Sequence, residues 1–266
     1  MTDTEKPDQY ERRIYLIKSL IHEAPRYEGV EIPEDENEQK MLLRGLMNVR
    51  MPAPAGEEFL SIQDEYLSEE TRKKGITDID DLVPVRRGLY LWQGDITTLR
   101  CDAIVNAANS GMTGCYVPCH RCIDNCIHTY AGVQLRRHCA DLMRMQGHEE
   151  PAGSAKITPG YNLPCRYILH TVGPIITGPL TRRDKELLAS CYSSCLKMAD
   201  DNSLESVAFC CISTGEFHFP PEAAAEIAVK TAAEFLEGQT SVKKVVFNAF
   251  SDRDRQIYER ILGIDK

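Results

Sequence analysis

Side chains able to bind a metal or act as nucleophiles crowd one short stretch. GCYVPCHRCIDNCIH, residues 114–128, holds four cysteines and two histidines, of eleven and seven in the whole chain. Thiolate and imidazole donors together suit Zn2+, a tetrahedral ion that takes sulfur at ~2.3 Å and nitrogen at ~2.0 Å. Three protein donors would leave a corner open for water or substrate, and four would close a structural site. The residue types leave Cys119 open as a fourth donor, and they leave open a redox pair of Cys119 with Cys122. From Ile123 onward the apolar positions Ile127, Tyr130, Ala131, Leu135, Cys139 and Leu142 recur at helical intervals, which predicts a helix over 123–146. Asp124 suits the positive end of its dipole, and Cys126 and Cys139 fall along or beside the stripe as core thiols. Cys115, Cys119, His120 and Cys122 precede that helix. On a straight helix His120 and Cys122 would point ~200° apart, so they converge only in an irregular turn. Gly114 and Pro118 give the backbone a reason for one.

The elements that must position such a site lie after Arg86. GLYLWQG, AIVNAA, RYILHTV, SVAFCCI and KKVVFNAF are short apolar runs alternating with helical segments near 123–146, 183–201, 221–237 and 252–263. Runs apolar on both faces predict strands buried in a mainly parallel sheet, and the class is α/β. Ligands in such sheets sit beyond the carboxyl ends of the strands, so the loops there hold the remaining candidates. GDIT brings Asp95, an acceptor or a turn cap. VNAAN brings Asn106 and Asn109, of which Asn106, nearer the strand, reads as structural. STGEFHFPP offers a nest of backbone N–H groups for phosphate, with Phe217 and Phe219 beside it, one of them a core residue. NAFSDRD places Phe250 where it can stack on a base. His170 falls within a strand as a core residue, and His128 falls on the helix.

Residues 1–84 read differently, as three amphipathic segments marked by Ile14, Leu16, Ile17, Leu20 and Ile21, by Met41, Leu42, Leu43, Leu46 and Met47, and by Phe59, Leu60, Ile62 and Leu67. They predict a helical extension to a domain spanning 85–266, without a polar cluster of catalytic spacing. The net charge of −9 argues against general affinity for nucleic acid backbones. No apolar run approaches the ~18–20 residues of a bilayer span. The first residues lack the layout of a secretory signal, so the expected compartment is the reducing cytoplasm, where eleven cysteines serve as core residues and metal ligands.

GDIT, VNAAN, TPGYNLPCRYILHTVGP, STGEFHFPPEAA and FSDRDRQIYERIL occur in the order and spacing of a macrodomain, and the resemblance covers residues 86–266. It implies a three-layer α/β/α fold with a mixed, mainly parallel sheet that binds ADP-ribose. Where ordinary macrodomains carry a glycine-rich loop after the asparagines, this chain has the cysteine-rich segment, which resembles the zinc-containing microbial branch. That branch also carries an N-terminal extension. Its pattern falls on Cys115, His120 and Cys122 as zinc ligands and leaves Cys119 outside. The resemblance further implies that Asp95 and the Ile96 backbone read adenine beside Phe250. Ser213, Thr214, Gly215, Glu216 and Phe217 would form the diphosphate and distal-ribose loop, lined opposite by Cys122, Ile123 and Asp124. Asn109 would orient the ribose, and Glu216 and Asp124 are the candidate bases. His218 departs from a glycine usual at that point. The implied activity is zinc-dependent removal of mono-ADP-ribose from modified proteins, with a lipoyl-carrier protein modified by a sirtuin-like transferase as the expected partner. A non-catalytic ADP-ribose-binding module with a structural zinc is the alternative.

Overall fold

A computed structural model of the chain describes residues 7–264. Three helices come first: α1 Gln9–His22, α2 Glu36–Val49 and α3 Glu57–Lys74. Asp8 and Asp35 cap the first two through side-chain acceptors, and α3 ends in a basic turn that complements its dipole. Leu16, Ile17, Leu20, Leu43, Leu46, Met47, Phe59, Tyr66 and Leu67 close into a second core, joined by Val133 from further along the chain.

Strands β1 Thr77–Asp78, β2 Pro84–Arg86, β3 Leu89–Gln93, β4 Leu99–Arg100 and β5 Ala103–Ala108 follow. The chain then forms α4 Ile123–Ala131, α5 Val133–Gln146, β6 Ala155–Pro159, β7 Tyr167–Val172, α6 Arg182–Asp201, β8 Ser206–Phe209, α7 Pro221–Glu237, β9 Lys244–Ala249 and α8 Asp252–Leu262. The main sheet has the order β2-β3-β9-β8-β5-β7-β6. Its five inner strands are parallel, and both edges are antiparallel. This is the mixed, mainly parallel sheet expected from the apolar runs. Helices cover both faces: α4 packs on β5 and α5 on β6, while α6 and α8 pack on the sheet from the other side with α7 between them.

Three details differ from the sequence expectation or extend it. The helix expected over 123–146 is two helices, broken at Gly132, whose φ is +98°. A Cβ there would lie 2.5 Å from Gln134 Oε1 and 2.6 Å from Gln63 Nε2, so the break admits close approach of α3. The edge strand β6 has a polar, proline-ended sequence, AKITP, that lacks the apolar run of a buried strand. The expected boundary between residues 84 and 85 falls within β2, and β1 pairs with β4, so the helical segment is joined to the α/β part by strand pairing as well as by the packing of α2 and α3 on α4.

Because β3, β5, β8 and β9 run parallel, the loops that follow them open along the same edge of the sheet. Those loops carry Asp95, Asn109, Ser213 and Phe250.

Candidate functional site

Between β5 and α4 the chain makes an irregular loop. Gly114 has φ +84°, and a Cβ there would meet the His128 ring at 2.7 Å, so a glycine is required. Residues 117–120 form a turn closed by the His120 N–H donating to the Val117 carbonyl at 3.2 Å. Pro118 stands second and Cys119, with φ +54°, third, the order a type II turn demands. The turn brings His120 round beside its neighbours, which a helix would not do.

The ligand atoms of Cys115, His120 and Cys122 all lie within 4.8 Å of one another. Cys115 Sγ is 3.6 Å from His120 Nδ1. A tetrahedral zinc with the usual bond lengths sets sulfur and nitrogen about 3.5 Å apart, so the donor set fits. Cys119 is outside the group; its thiol donates to the Met41 carbonyl at 3.3 Å. Cys122 caps α4, its Sγ accepting from the Asn125 N–H. In the metal-free chain burial, and after it the nearby Cys115, push the Cys122 thiol up to about 12 against that cap. Binding a cation must therefore displace a proton.

Beneath the loop lies a buried polar network. Asn106 is fully buried and donates to Asp124 Oδ1 at 2.9 Å and to His170 Nδ1 at 3.1 Å, the structural part expected of it. Asn109 donates to Asp124 Oδ2 and to the Gly114 carbonyl, both at 3.1 Å, and accepts from the Gly111 N–H. Both of its amide hydrogens are thus engaged in shaping the loop. Asp124 is 5% exposed, and burial raises its carboxyl to about 6 although the two asparagines and Arg136 oppose this. His170 Nε2 meets Thr158 Oγ1 at 2.9 Å, so His170 is a satisfied core residue as expected. His128, Cys139 and His170 also cluster, but all three are buried, and burial keeps both imidazoles neutral.

Across the edge, residues 213–217 form the second wall. Ser213 has φ +63° and His218 φ +56°, so His218 occupies a position that favours glycine. Among the described residues the backbone N–H groups of Gly215, Glu216 and Phe217 have no protein acceptor, and the buried Ser213 Oγ has no partner. Such a nest suits phosphate oxygens. Phe219 is buried and is therefore the core ring of the two, whereas Phe217 is half-buried beside the loop. Glu216 is exposed, and its Oε1 lies 3.5 Å from His120 Nε2, joining this wall to the cysteine loop.

At the far end Phe250 is 78% exposed at the end of β9. Asp95 follows β3 and caps the next turn, Oδ1 accepting from the Thr97 N–H and hydroxyl, while Oδ2 pairs with Lys74 Nζ at 3.0 Å. Burial opposes its ionisation, but Thr97 and Lys74 outweigh burial and hold the carboxyl below its usual range. The Ile96 side chain is buried behind it. Ile123 is half-buried at the start of α4. Sequence reasoning missed Lys74, Arg44, Asn48 and Arg136. Each lies far along the chain from what it holds, and no local spacing marks it.

A family model described as Macro domain matches residues 105–228. A Treponema medium protein named Protein-ADP-ribose hydrolase is 61% identical over 259 residues, 96% of this chain and 99% of that relative. A Staphylococcus aureus protein of the same name is 50% identical, over 94% of this chain and 95% of the relative. Among solved structures, a Trypanosoma brucei macrodomain in complex with ADP-ribose superposes with a TM-score of 0.65 at 30% identity, covering 87% of this chain and 97% of that one. The chain belongs to the Macro domain family.

Proposed function

We propose that this protein is a zinc-dependent hydrolase that removes mono-ADP-ribose from modified proteins. The observation that carries the reading is the convergence of Cys115, His120 and Cys122 within 4.8 Å, beside a loop, residues 213–217, whose Glu216 lies 3.5 Å from His120. The names of the Treponema and Staphylococcus relatives support the activity, and the ADP-ribose complex of the Trypanosoma macrodomain supports the ligand.

In this reading adenine lies against the exposed Phe250 ring near Asp95 and the Ile96 backbone, and the diphosphate lies on the free N–H groups of residues 215–217. The distal ribose then reaches the Cys115–His120–Cys122 end, lined by Cys122, Ile123 and Asp124. Cys115, His120 and Cys122 would hold a zinc ion, which would supply a Lewis acid able to lower the pKa of water at this end of the site. Water adds to C1″ as the bond from C1″ to the protein oxygen breaks, yielding free ADP-ribose and the unmodified side chain. Of the two candidate bases, Glu216 is open to solvent 3.5 Å from His120, and in this reading it takes the proton from water. Asp124 acts from below, holding the Asn109 amide and with it the loop that Asn109 shapes. Developing positive charge on the ribose is stabilised by the adjacent diphosphate.

The test is release of ADP-ribose from modified protein by the enzyme as isolated, after chelation and after zinc is restored. Substrate arms carry acidic, serine and arginine conjugates and a modified lipoyl-carrier protein. Release lost on chelation and regained with zinc supports the reading. Release indifferent to chelation removes the zinc from it, and binding without release in any arm leaves a non-catalytic reader.

A further inference from the structure

We infer that α2 is a clasp that preforms the metal triad, with Arg44 and Asn48 as positioning residues for its ligands. The inference rests on the zinc reading above and assigns the helical segment a part in it.

The loop that carries the ligands is unfavourable on its own. Cys119 sits in the left-handed region, where a residue with a Cβ costs ~1–2 kcal/mol relative to its ordinary conformations. Ordering a loop of this kind also costs backbone entropy. Contacts from α2 offset both. Asn48 Oδ1 accepts the Cys119 N–H at 2.9 Å, and the Cys119 thiol reaches the Met41 carbonyl. One turn away, the Arg44 guanidinium donates to the His120 carbonyl at 2.7 Å and to Asn125 Oδ1 at 3.0 Å. Asn125 in turn donates to the Val117 carbonyl at 3.0 Å. The backbone on both sides of the His120 α-carbon is therefore tied to α2, and that backbone aims the imidazole at Cys115.

The helix itself is fixed on both sides. Leu43, Leu46 and Met47 bury it in the apolar core it shares with α1. Asn48 Nδ2 donates to Thr129 Oγ1 on α4 at 2.8 Å. The buried Arg136 donates to the carbonyls of Asn48 at 2.6 Å and Arg50 at 2.7 Å, and its other nitrogen reaches the Cys115 carbonyl at 3.5 Å. Arg136 thus holds the end of α2 and the first ligand together. None of these groups belongs to the ligand set, and each bears on where a ligand stands.

Partners that orient metal ligands in this way typically govern metal affinity by ~10–100-fold. The full-length chain is stripped of metal and titrated with zinc against a chromophoric chelator, as wild type, Arg44→Met, Arg44→Lys and Arg44→Gln. Cys115→Ala serves as the ligand control. The clasp predicts a 10–100-fold loss of zinc affinity in Arg44→Met, partial recovery in Arg44→Lys, and an altered cobalt absorption spectrum, while the metal-free Arg44→Met chain keeps a single cooperative unfolding transition. Arg44→Gln carries the same comparison should Arg44→Met not fold. Zinc affinity within threefold of wild type and an unchanged cobalt spectrum would overturn the clasp and spare the zinc reading. A wild-type chain that binds zinc no better than Cys115→Ala overturns both.

Discussion

Nε2 of His120 lies 3.5 Å from Oε1 of Glu216, while Nδ1 of the same ring faces Cys115 Sγ at 3.6 Å. One imidazole thus spans from the cysteine loop to the loop of residues 213–217. A carboxylate on the far nitrogen of a ligating histidine fixes the tautomer and strengthens the ligand. Glu216 is solvent-exposed, so screening keeps this contribution small. Glu216→Ala is expected to weaken zinc binding by less than ~10-fold while lowering the turnover of ADP-ribose release far more, as loss of the proton acceptor requires. Chelator competition and single-turnover release, measured side by side, check the two effects separately.

Phe250 holds no core in place, since its ring stands almost free at the end of β9. Stacking of a base on an aromatic ring is worth ~1–3 kcal/mol. Phe250→Ala is expected to weaken ADP-ribose binding by roughly 10-fold or more, with little change in melting temperature. Calorimetric titration with ADP-ribose reads the first effect, and thermal unfolding of the same sample reads the second.

Asp124 gives the metal-free chain a definite pH signature. Its carboxyl rises from an ordinary 3.8 to about 6 because burial disfavours the charge. The folded chain therefore binds this proton more tightly than the unfolded chain does. The stability contributed is complete below pH ~4 and is lost as pH rises through about 6, a change of order 3 kcal/mol. The stability difference between wild type and Asp124→Asn should accordingly shift against wild type between pH 4 and 7. Urea unfolding of the chelated proteins across that range measures it; a difference independent of pH would show that Asp124 ionises freely.

Gly114 combines φ +84° with a Cβ position 2.7 Å from the His128 ring. Gly114→Ala should cost ~1–3 kcal/mol of stability and displace Cys115, its immediate neighbour, so zinc affinity should fall along with the denaturation midpoint.

Much of this site was legible because its chemistry is local. The thiols and the histidine fall within a few residues of each other, and the turn that gathers them is signalled by Pro118. The apolar runs marked the inner strands because burial on both faces leaves little room for polar residues. The break at Gly132 was hidden, since the apolar stripe continues from Ile127 through Ala131 to Leu135 and Cys139 across it. The edge strand Ala155–Pro159 was hidden because it is only half-buried and carries polar residues and a proline. Asn109 reads from the sequence as a group that orients a ligand, and its bonds to Asp124 and the Gly114 carbonyl, which no local spacing marks, add a part in shaping the loop. Arg44, Asn48 and Lys74 act across long stretches of chain, and nothing in their own neighbourhoods tells what they touch.

The proposed chemistry depends above all on which atoms would surround the metal. Zinc K-edge X-ray absorption on the purified protein, with the metal content of the same sample determined, reads this directly. The prediction is about one zinc per chain, bound by two sulfurs at ~2.3 Å and one imidazole nitrogen at ~2.0 Å, with a light-atom donor that changes when ADP-ribose is added. A shell of three or four sulfurs, or a chain purified under reducing conditions that holds no zinc, would contradict it.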